Sequence, residues 1–299
     1  MGNSAGGSQI PRHVTTTANL AWQRLAGADP TTLVDARLQL HHALQVIVSV
    51  GISYLPPRPD DSHTNLEWLP GFAALGTNWL ESGQRLRFGL RPAELSLIAL
   101  NDEGVTSELA LDGRTVNDAV EWLRAALVAA GYDGSRLTTK KHYEIPPHAV
   151  ATGAAFKRDA PEKFAELGRS YVDVHALASY VVATRAGASP VRCWPHHFDL
   201  ATLITLPELP GRGTRTVGVG LSPGDDSYAQ PYFYVGPFPH PKPDRLKPLG
   251  SVGKWHTQGF VAAVLPASEL AQFQSAESQR DAVVGFANAA LDASIHALA

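Results

Sequence analysis

The feature that most constrains the fold of this chain is the order of its hydrophobic patterns. Apolar residues recur at helical spacing near residues 35–55, 115–131, 161–186 and 276–298. Short apolar or alternating segments, bounded by turn residues, lie between the first and second of these, and between the third and fourth. Runs of consecutive strands separated by helices favour an α+β fold over a doubly wound parallel sheet. The sequence therefore predicts a mainly antiparallel sheet flanked by helices.

Local signals place the strands and some of the boundaries. The predicted strands are residues 72–80, 86–90, 95–100, 105–111, 191–206, 214–221, 231–238 and 260–265. Thr115 with Asp118 resembles a capping box at the start of the second helix. The chain contains no glycine-rich dinucleotide loop, P-loop or Gly-x-Ser-x-Gly elbow. The sequence motifs therefore do not indicate a dinucleotide-binding enzyme, a P-loop NTPase or an α/β-hydrolase.

The chain divides into two halves that show the same order of elements. We expect a flexible leader at residues 1–18, a first α+β half at 19–135, and a second at 136–299 that carries the candidate site. Each half reads helix, strands, helix, so residues 31–131 and 161–298 are candidates for an internal duplication. The alternative to duplication is that the two halves share this order by chance. The alternative to two separate domains is a single domain built from both halves.

Charge, cysteine content and the length of the apolar segments indicate which partners and which cellular compartment to expect. The chain has 25 basic and 28 acidic residues and no long basic block, so neither nucleic acid nor an anionic membrane is indicated. Cys193 is the only cysteine, which favours a reducing compartment. Residues 1–13 lack the apolar core of a signal peptide, and residues 43–55 are too short to span a bilayer. We expect a cytoplasmic protein; the sequence does not predict its oligomeric state.

The most informative local motif is the run Cys-Trp-Pro-His-His-Phe-Asp at residues 193–199, at the head of an apolar strand. Imidazoles and carboxylates bind metals and move protons, so we take His196, His197 and Asp199 as candidate catalytic residues. On a strand, His197 and Asp199 would share one face without His196, whereas a tight turn would let all three converge. Purely structural hydrogen bonding is the alternative.

Further candidates for the same site come from the second half. On a strand, Tyr232 and Tyr234 share one face, which suits the wall of an apolar pocket that can also form hydrogen bonds. Together with Trp194, His240 and His256 they are the predicted ligand-binding residues. No cofactor is identified; a divalent metal would need His240, His256 or another residue as an additional ligand. The acidic turn at residues 222–228 is expected to be structural, although its carboxylates can bind a cation or an amine.

Part of the second half resembles a bacterial family of uncharacterised proteins, classed as a domain of unknown function. The resemblance rests on residues 189–201, which begin Ser-Pro-Val and end Phe-Asp-Leu-Ala, and on the aromatic and proline-rich segments 231–234 and 237–241. Members typically have Trp-Gly-Ser or a similar sequence where residues 195–197 read Pro-His-His. A histidine-based mechanism is therefore not carried over, and the resemblance implies no activity.

Two functions fit these observations. The first is an enzyme that acts on a small organic molecule through a His/Asp site. The second is a non-catalytic domain that binds a small ligand or another protein through the same residues. An independent base, nucleophile or ligand set facing the 193–199 motif would distinguish them.

Overall fold

The structure is a computed structural model that describes residues 20–211 and 213–299, and its fold is α+β, as predicted. The helices are α1 Val34–Tyr54, α2 Val116–Ala129, α3 Pro161–Thr184, α4 Ala267–Leu270 and α5 Ala276–Leu298. The four predicted helices are confirmed to within two residues at each end. The capping box is also present, since the Thr115 hydroxyl accepts from the Asp118 N–H and the Asp118 carboxylate accepts from the Thr115 N–H. The expected leader lies outside the described residues.

Eleven strands of the described chain form one antiparallel sheet. They are β1 Leu66–Leu69, β2 Ala74–Thr77, β3 Arg87–Arg91, β4 Ser96–Asn101, β5 Gly104–Ala110, β6 Arg192–Trp194, β7 Asp199–Thr205, β8 Thr216–Ser222, β9 Tyr232–Phe238, β10 Lys254–His256 and β11 Ala262–Pro266. Their order across the sheet is β10-β11-β9-β8-β7-β6-β1-β2-β3-β4-β5. The prediction of a mainly antiparallel sheet flanked by helices is therefore confirmed.

The two halves meet at the middle of this sheet, where Leu66 of β1 pairs with Cys193 of β6. From this junction the first half runs outward as β1-β2-β3-β4-β5, and the second as β6-β7-β8-β9-β11-β10. The first four strands of each half follow chain order, but β10 adds an outer strand that the first half lacks. The order is thus shared only in part, and the duplication stays a prediction.

The sheet has one covered face and one open face. Leu200 and Ile204 of β7 and Phe233 and Val235 of β9 are buried on the covered face, where α3 and α5 pack. One hydrophobic cluster on this face contains side chains from both halves. The alternating residues of the same strands point to the open face.

Among the described residues, no helix is long and apolar enough to cross a bilayer.

The observed sheet contains two strands that the sequence does not predict, and one predicted strand is divided into two. The two strands that are not predicted are β1 and β10; strands of four and three residues are too short to show a clear alternation. The predicted strand 191–206 is two strands, β6 and β7. A turn at residues 195–198 separates them, and Phe198 in this turn adopts a positive φ of 61°. A continuous strand is incompatible with that backbone conformation.

Candidate functional site

The 193–199 motif forms a tight hairpin turn between β6 and β7, the second of the two arrangements considered from sequence. Trp194 pairs with Asp199, and the Trp194 carbonyl accepts hydrogen bonds from the backbone N–H groups of His197 (3.1 Å) and Phe198 (2.7 Å). Both histidines therefore project from the turn, and Asp199 opens the following strand.

Two helices hold the turn from the covered side. The Nε2 of His41 and the Nε2 of Gln45, both on α1, each lie 2.8 Å from the carbonyl oxygen of Pro195. The Tyr171 hydroxyl on α3 donates to the Phe198 carbonyl at 2.8 Å, and the His41 ring stacks on Phe198 with centroids 5.1 Å apart. Burial lowers the pKa of His41 to about 4, so its imidazole is neutral and donates through Nε2–H. His41 therefore has a structural role.

The central polar contact of the open face joins β9 to β7 across the strand that lies between them, β8. The Tyr234 hydroxyl on β9 donates to Asp199 Oδ2 on β7 at 2.5 Å. Its ring crosses β8 beside Gly218, where a Cβ would lie 3.6 Å from the Tyr234 Cε2 atom. Because the residue opposite Tyr234 is also a glycine, Gly220, no side chain of β8 blocks this path.

Asp199 retains one carboxylate oxygen without a partner. Its Oδ1 is buried and accepts no hydrogen bond from the described residues. Burial raises the pKa of the Asp199 carboxyl, while the hydrogen bond from Tyr234 and the nearby His197 oppose that increase. An unsatisfied buried acceptor is rare in folded proteins and, in a cavity wall, indicates a place for a ligand donor.

A second tyrosine–carboxylate pair lies beside the first but has no free oxygen. The Tyr232 hydroxyl donates to Asp225 Oδ2. Asp225 Oδ1 accepts from the backbone N–H groups of Ser227 (2.8 Å) and Tyr228 (3.0 Å). Asp225 is therefore used to fix its own loop, in agreement with the structural role expected for the acidic turn, although it also lines the cavity described next.

The two pairs line a cavity of about 320 Å³ on the open face. Its walls are His197, Asp199, Ser222, Asp225, Tyr232, Tyr234, Gly236, Pro237, Phe238, His240, Phe260, Val261 and Ala262. Five of the eight residues singled out from sequence meet here, namely His197, Asp199, Tyr232, Tyr234 and His240. The size and the mainly apolar wall with few polar groups are typical of a small-molecule site.

The structure places His196 and Trp194 outside this cavity. The His196 ring lies 4.1 Å from that of His197 but faces a neighbouring cavity with Arg37 and His41. Burial, with the nearby His197, lowers the pKa of His196. Trp194 lines a third cavity, which also contains Asp199 and Tyr234 in its wall. The three candidate catalytic residues therefore do not converge on one ligand position.

His256 supports the cavity without lining it. Its ring stacks on Phe260 with centroids 4.2 Å apart, and its Nδ1 lies 3.1 Å from the Tyr228 hydroxyl. Phe260 and Phe238 are wall residues that the sequence analysis did not name. Phe238 was accessible to the same reasoning as the tyrosines, because it continues their alternation on β9. Phe260 precedes β11 in a loop whose path the sequence does not indicate.

Among residues 20–211 and 213–299, no three His, Cys, Asp or Glu side chains lie close enough together to hold a metal ion. A divalent metal is therefore assigned no ligand set.

Comparisons with protein-family models, with curated proteins and with solved structures find no match for this chain. The resemblance of residues 189–201 to a bacterial family stays a prediction.

Proposed function

We propose that the cavity lined by Asp199, Tyr232 and Tyr234 binds a small organic molecule and that Asp199 exchanges a proton with this molecule. The observation that carries this proposal is the state of the two oxygens of Asp199, a residue of the cavity wall: Oδ2 is held by Tyr234, whereas Oδ1 is buried and has no partner among the described residues. A positioned carboxyl with one free oxygen is the minimum that general acid–base catalysis needs.

Each group of the cluster has a distinct part in the proposed reaction. Burial moves the pKa of Asp199 upward, towards the range in which a carboxyl can both accept and return a proton. Tyr234 fixes the orientation of the carboxyl and stabilises its ionised form. His197 is exposed and lines the cavity, and its electrostatic interaction with Asp199 favours the ionised carboxyl.

A non-catalytic ligand-binding protein is the second candidate, and one observation favours it. Many acid–base enzymes use two free titratable groups, but both oxygens of Asp225 are engaged in hydrogen bonds. Asp199 is then the one wall carboxyl with a free oxygen, which suffices to hold a ligand. In either case the single, buried Cys193 thiol favours a reducing compartment such as the cytoplasm.

The two candidates are separated by incubating the protein in D₂O with mixtures of small amines, alcohols and carboxylic acids. Saturation-transfer NMR detects binding, and time-resolved spectra detect conversion or deuterium incorporation. For an enzyme, we expect Asp199→Asn to reduce conversion by about 10²-fold or more while the protein stays folded. Asp226→Asn is the matched control, because Asp226 is an exposed carboxylate of the neighbouring loop that does not line the cavity.

Binding that depends on Asp199 without any conversion would assign the non-catalytic role. Conversion at the same rate by wild type and Asp199→Asn would remove Asp199 from the reaction and contradict the proposal.

A further inference from the structure

The permanently charged side chains that line the cavity are carboxylates. Its wall contains two carboxylates, Asp199 and Asp225, and the side chains that line it include no lysine or arginine. Arg37 lies below the loop, donates to the Gly224 carbonyl and interacts with the charge of Asp225. No arginine or lysine interacts with Asp199 in this way; the titratable side chain that interacts with it is His197. The negative potential of the cavity is therefore concentrated at Asp199.

The free oxygen of Asp199 defines what a ligand must supply. A buried carboxylate oxygen accepts hydrogen bonds and cannot donate when ionised, so its complement is an N–H or O–H group. A charged N–H donor gives the stronger interaction, because a charge-assisted hydrogen bond is roughly twice as strong as a neutral one. A carboxylate or phosphate ligand would instead meet like charge at this position.

The rings of the wall point to the same class of ligand. Tyr232, Tyr234, Phe238 and Phe260 contribute four aromatic rings to one small cavity. The faces of such rings attract cations within about 6 Å. Phe238 keeps 58% of its surface exposed, and an exposed large aromatic side chain at a cavity mouth suits contact with a ligand.

The floor of the cavity leaves room for a ligand beside the carboxylate. Gly236 lies between Tyr234 and Phe238 on the open face of β9, and the nearest neighbour of a Cβ placed there would be Ala262, at 4.0 Å. A volume of about 320 Å³ corresponds to about ten water-sized groups. The space therefore fits a compact molecule rather than a polymer segment.

We infer that the ligand of this cavity is a small organic amine in its protonated form, whose ammonium group donates to Asp199 Oδ1 while its carbon skeleton packs against the four rings. This inference rests on the proposed small-molecule site and specifies the chemical class that the site accepts.

The test is an NMR titration of the full chain with three probes of equal length: butylammonium, butan-1-ol and butanoate. We expect butylammonium to shift the ring signals of Tyr232 and Tyr234 saturably, with a millimolar Kd. Butan-1-ol should bind at least ten-fold more weakly, and butanoate should produce no saturable shift. Asp199→Asn should weaken butylammonium binding at least ten-fold, and Asp226→Asn should leave it within two-fold.

Phe238→Leu provides a second measurement that does not depend on the Asp199 variant. It should weaken butylammonium several-fold and butan-1-ol by a smaller factor, because leucine retains an apolar surface but has no ring to attract the cation. No saturable shift with butylammonium, or equal affinity for butylammonium and butan-1-ol, would overturn the amine assignment. Asp199-dependent binding of butanoate, or tighter Asp199-dependent binding of butan-1-ol than of butylammonium, would do the same, yet would leave the proposed small-molecule site in place.

Discussion

Two buried carboxyl groups show how the same residue type serves different ends in this protein. Asp199 opens onto a cavity, whereas Asp173 on α3 is fully buried and lines none of the cavities described above. Asp173 Oδ1 accepts from the Gln23 N–H at 2.7 Å, and its Oδ2 has no partner among the described residues. Burial raises the pKa of Asp173 to about 9. Its neutral form therefore fastens the segment around Gln23 to α3.

Asp173→Asn should change how stability depends on pH. The folded pKa of Asp173, about 9, lies above the ordinary value of 3.8, so ionisation in the unfolded chain lowers the free energy of unfolding as pH rises from about 4 to 9. Asparagine accepts the same N–H bond and does not ionise. The stability of the variant relative to wild type should then rise by up to about 1.4 kcal/mol per pH unit between pH 5 and 8.

Urea denaturation at several pH values measures this difference. Asp226→Asn, at an exposed position, should give a curve parallel to that of wild type. A parallel curve for Asp173→Asn as well would show that the Asp173 carboxyl ionises normally in the folded protein.

Two histidines of the site region should respond to alanine substitution in opposite ways. His41 is buried, bonded to the Pro195 carbonyl and stacked on Phe198, so His41→Ala should lower the free energy of unfolding by about 1–3 kcal/mol. His197 is exposed, so His197→Ala should change stability by less than about 0.5 kcal/mol. His197→Ala should nevertheless weaken ligand binding or turnover, because the electrostatic interaction that favours ionised Asp199 is lost.

Thermal melts and calorimetric titration with butylammonium measure the two effects. Unchanged binding by folded His197→Ala would exclude His197 from the site, and a large loss of stability would give it a structural role.

At the residue scale, the sequence predicted several side chains that share the cavity but not the contacts that each of them makes. Residue type and alternation were enough to bring His197, Asp199 and the tyrosines to one face. The turn separated His196 from them because the positive φ of Phe198 ends the strand pattern, and Phe is not a residue that signals such a turn. The difference between Asp199 and Asp225 depends on which N–H groups reach each oxygen, and that is set by tertiary contacts.

At the scale of single elements, strand β8 shows how glycines shape the open face. Gly218 and Gly220 both point to this face, below and beside the ring of Tyr234. A Cβ at Gly220 would lie 2.5 Å from the Leu200 carbonyl oxygen of β7, whereas at Gly218 the nearest atoms are 3.6 Å away or more. The two positions therefore differ in the space available, although they share a strand and a face.

Gly220→Ala should destabilise the protein by about 1–3 kcal/mol, because β7 must shift to accept the methyl group. Gly218→Ala should be neutral or slightly stabilising, by about 0.5 kcal/mol, since it removes backbone freedom from the unfolded chain. Thermal denaturation of the two variants measures the contrast. Equal losses of stability would show that strand propensity, not the approach to Leu200, determines the effect.

The first described segment is an element that hydrophobic pattern could not reveal. The N–H groups of Gln23, Leu25 and Gly27 donate in turn to the side chains of Asp173, Gln279 and Glu166. These alternate N–H groups are satisfied by helix side chains instead of a neighbouring strand. Long-range pairing of this kind leaves no periodic signal in the sequence, whereas the four long helices were predictable from their repeated apolar spacing.

At the scale of the whole molecule, the sequence predicted the class of fold but not how the halves are joined. Antiparallel meanders follow from successive short strands, because neighbours in sequence tend to pair. The junction of β1 with β6 is a long-range contact between two short strands and has no local signature. The consequence for the site is direct: Gln45 and His41 belong to the first half, yet they hold the turn that carries His197 and Asp199.

Because one sheet and one hydrophobic cluster contain both halves, we expect the described chain to unfold as a single cooperative unit. Leu97 of β4 and Val219 of β8 are both fully buried in that cluster, on opposite sides of the junction. Leu97→Ala should lower the free energy of opening of β8 amides as much as that of β4 amides, by about 2–5 kcal/mol. Val219→Ala should produce the reciprocal effect on β4, with a smaller magnitude because valine loses fewer atoms.

Native-state hydrogen exchange with residue resolution makes this measurement. The exposed substitution Asp226→Asn should leave the most protected amides of both halves unchanged. If Leu97→Ala weakens protection in β3 and β4 but not in β8 and β9, the two halves unfold separately. In that case α1 supports the turn at residues 195–198, but the stability of the candidate site does not depend on the stability of the first half.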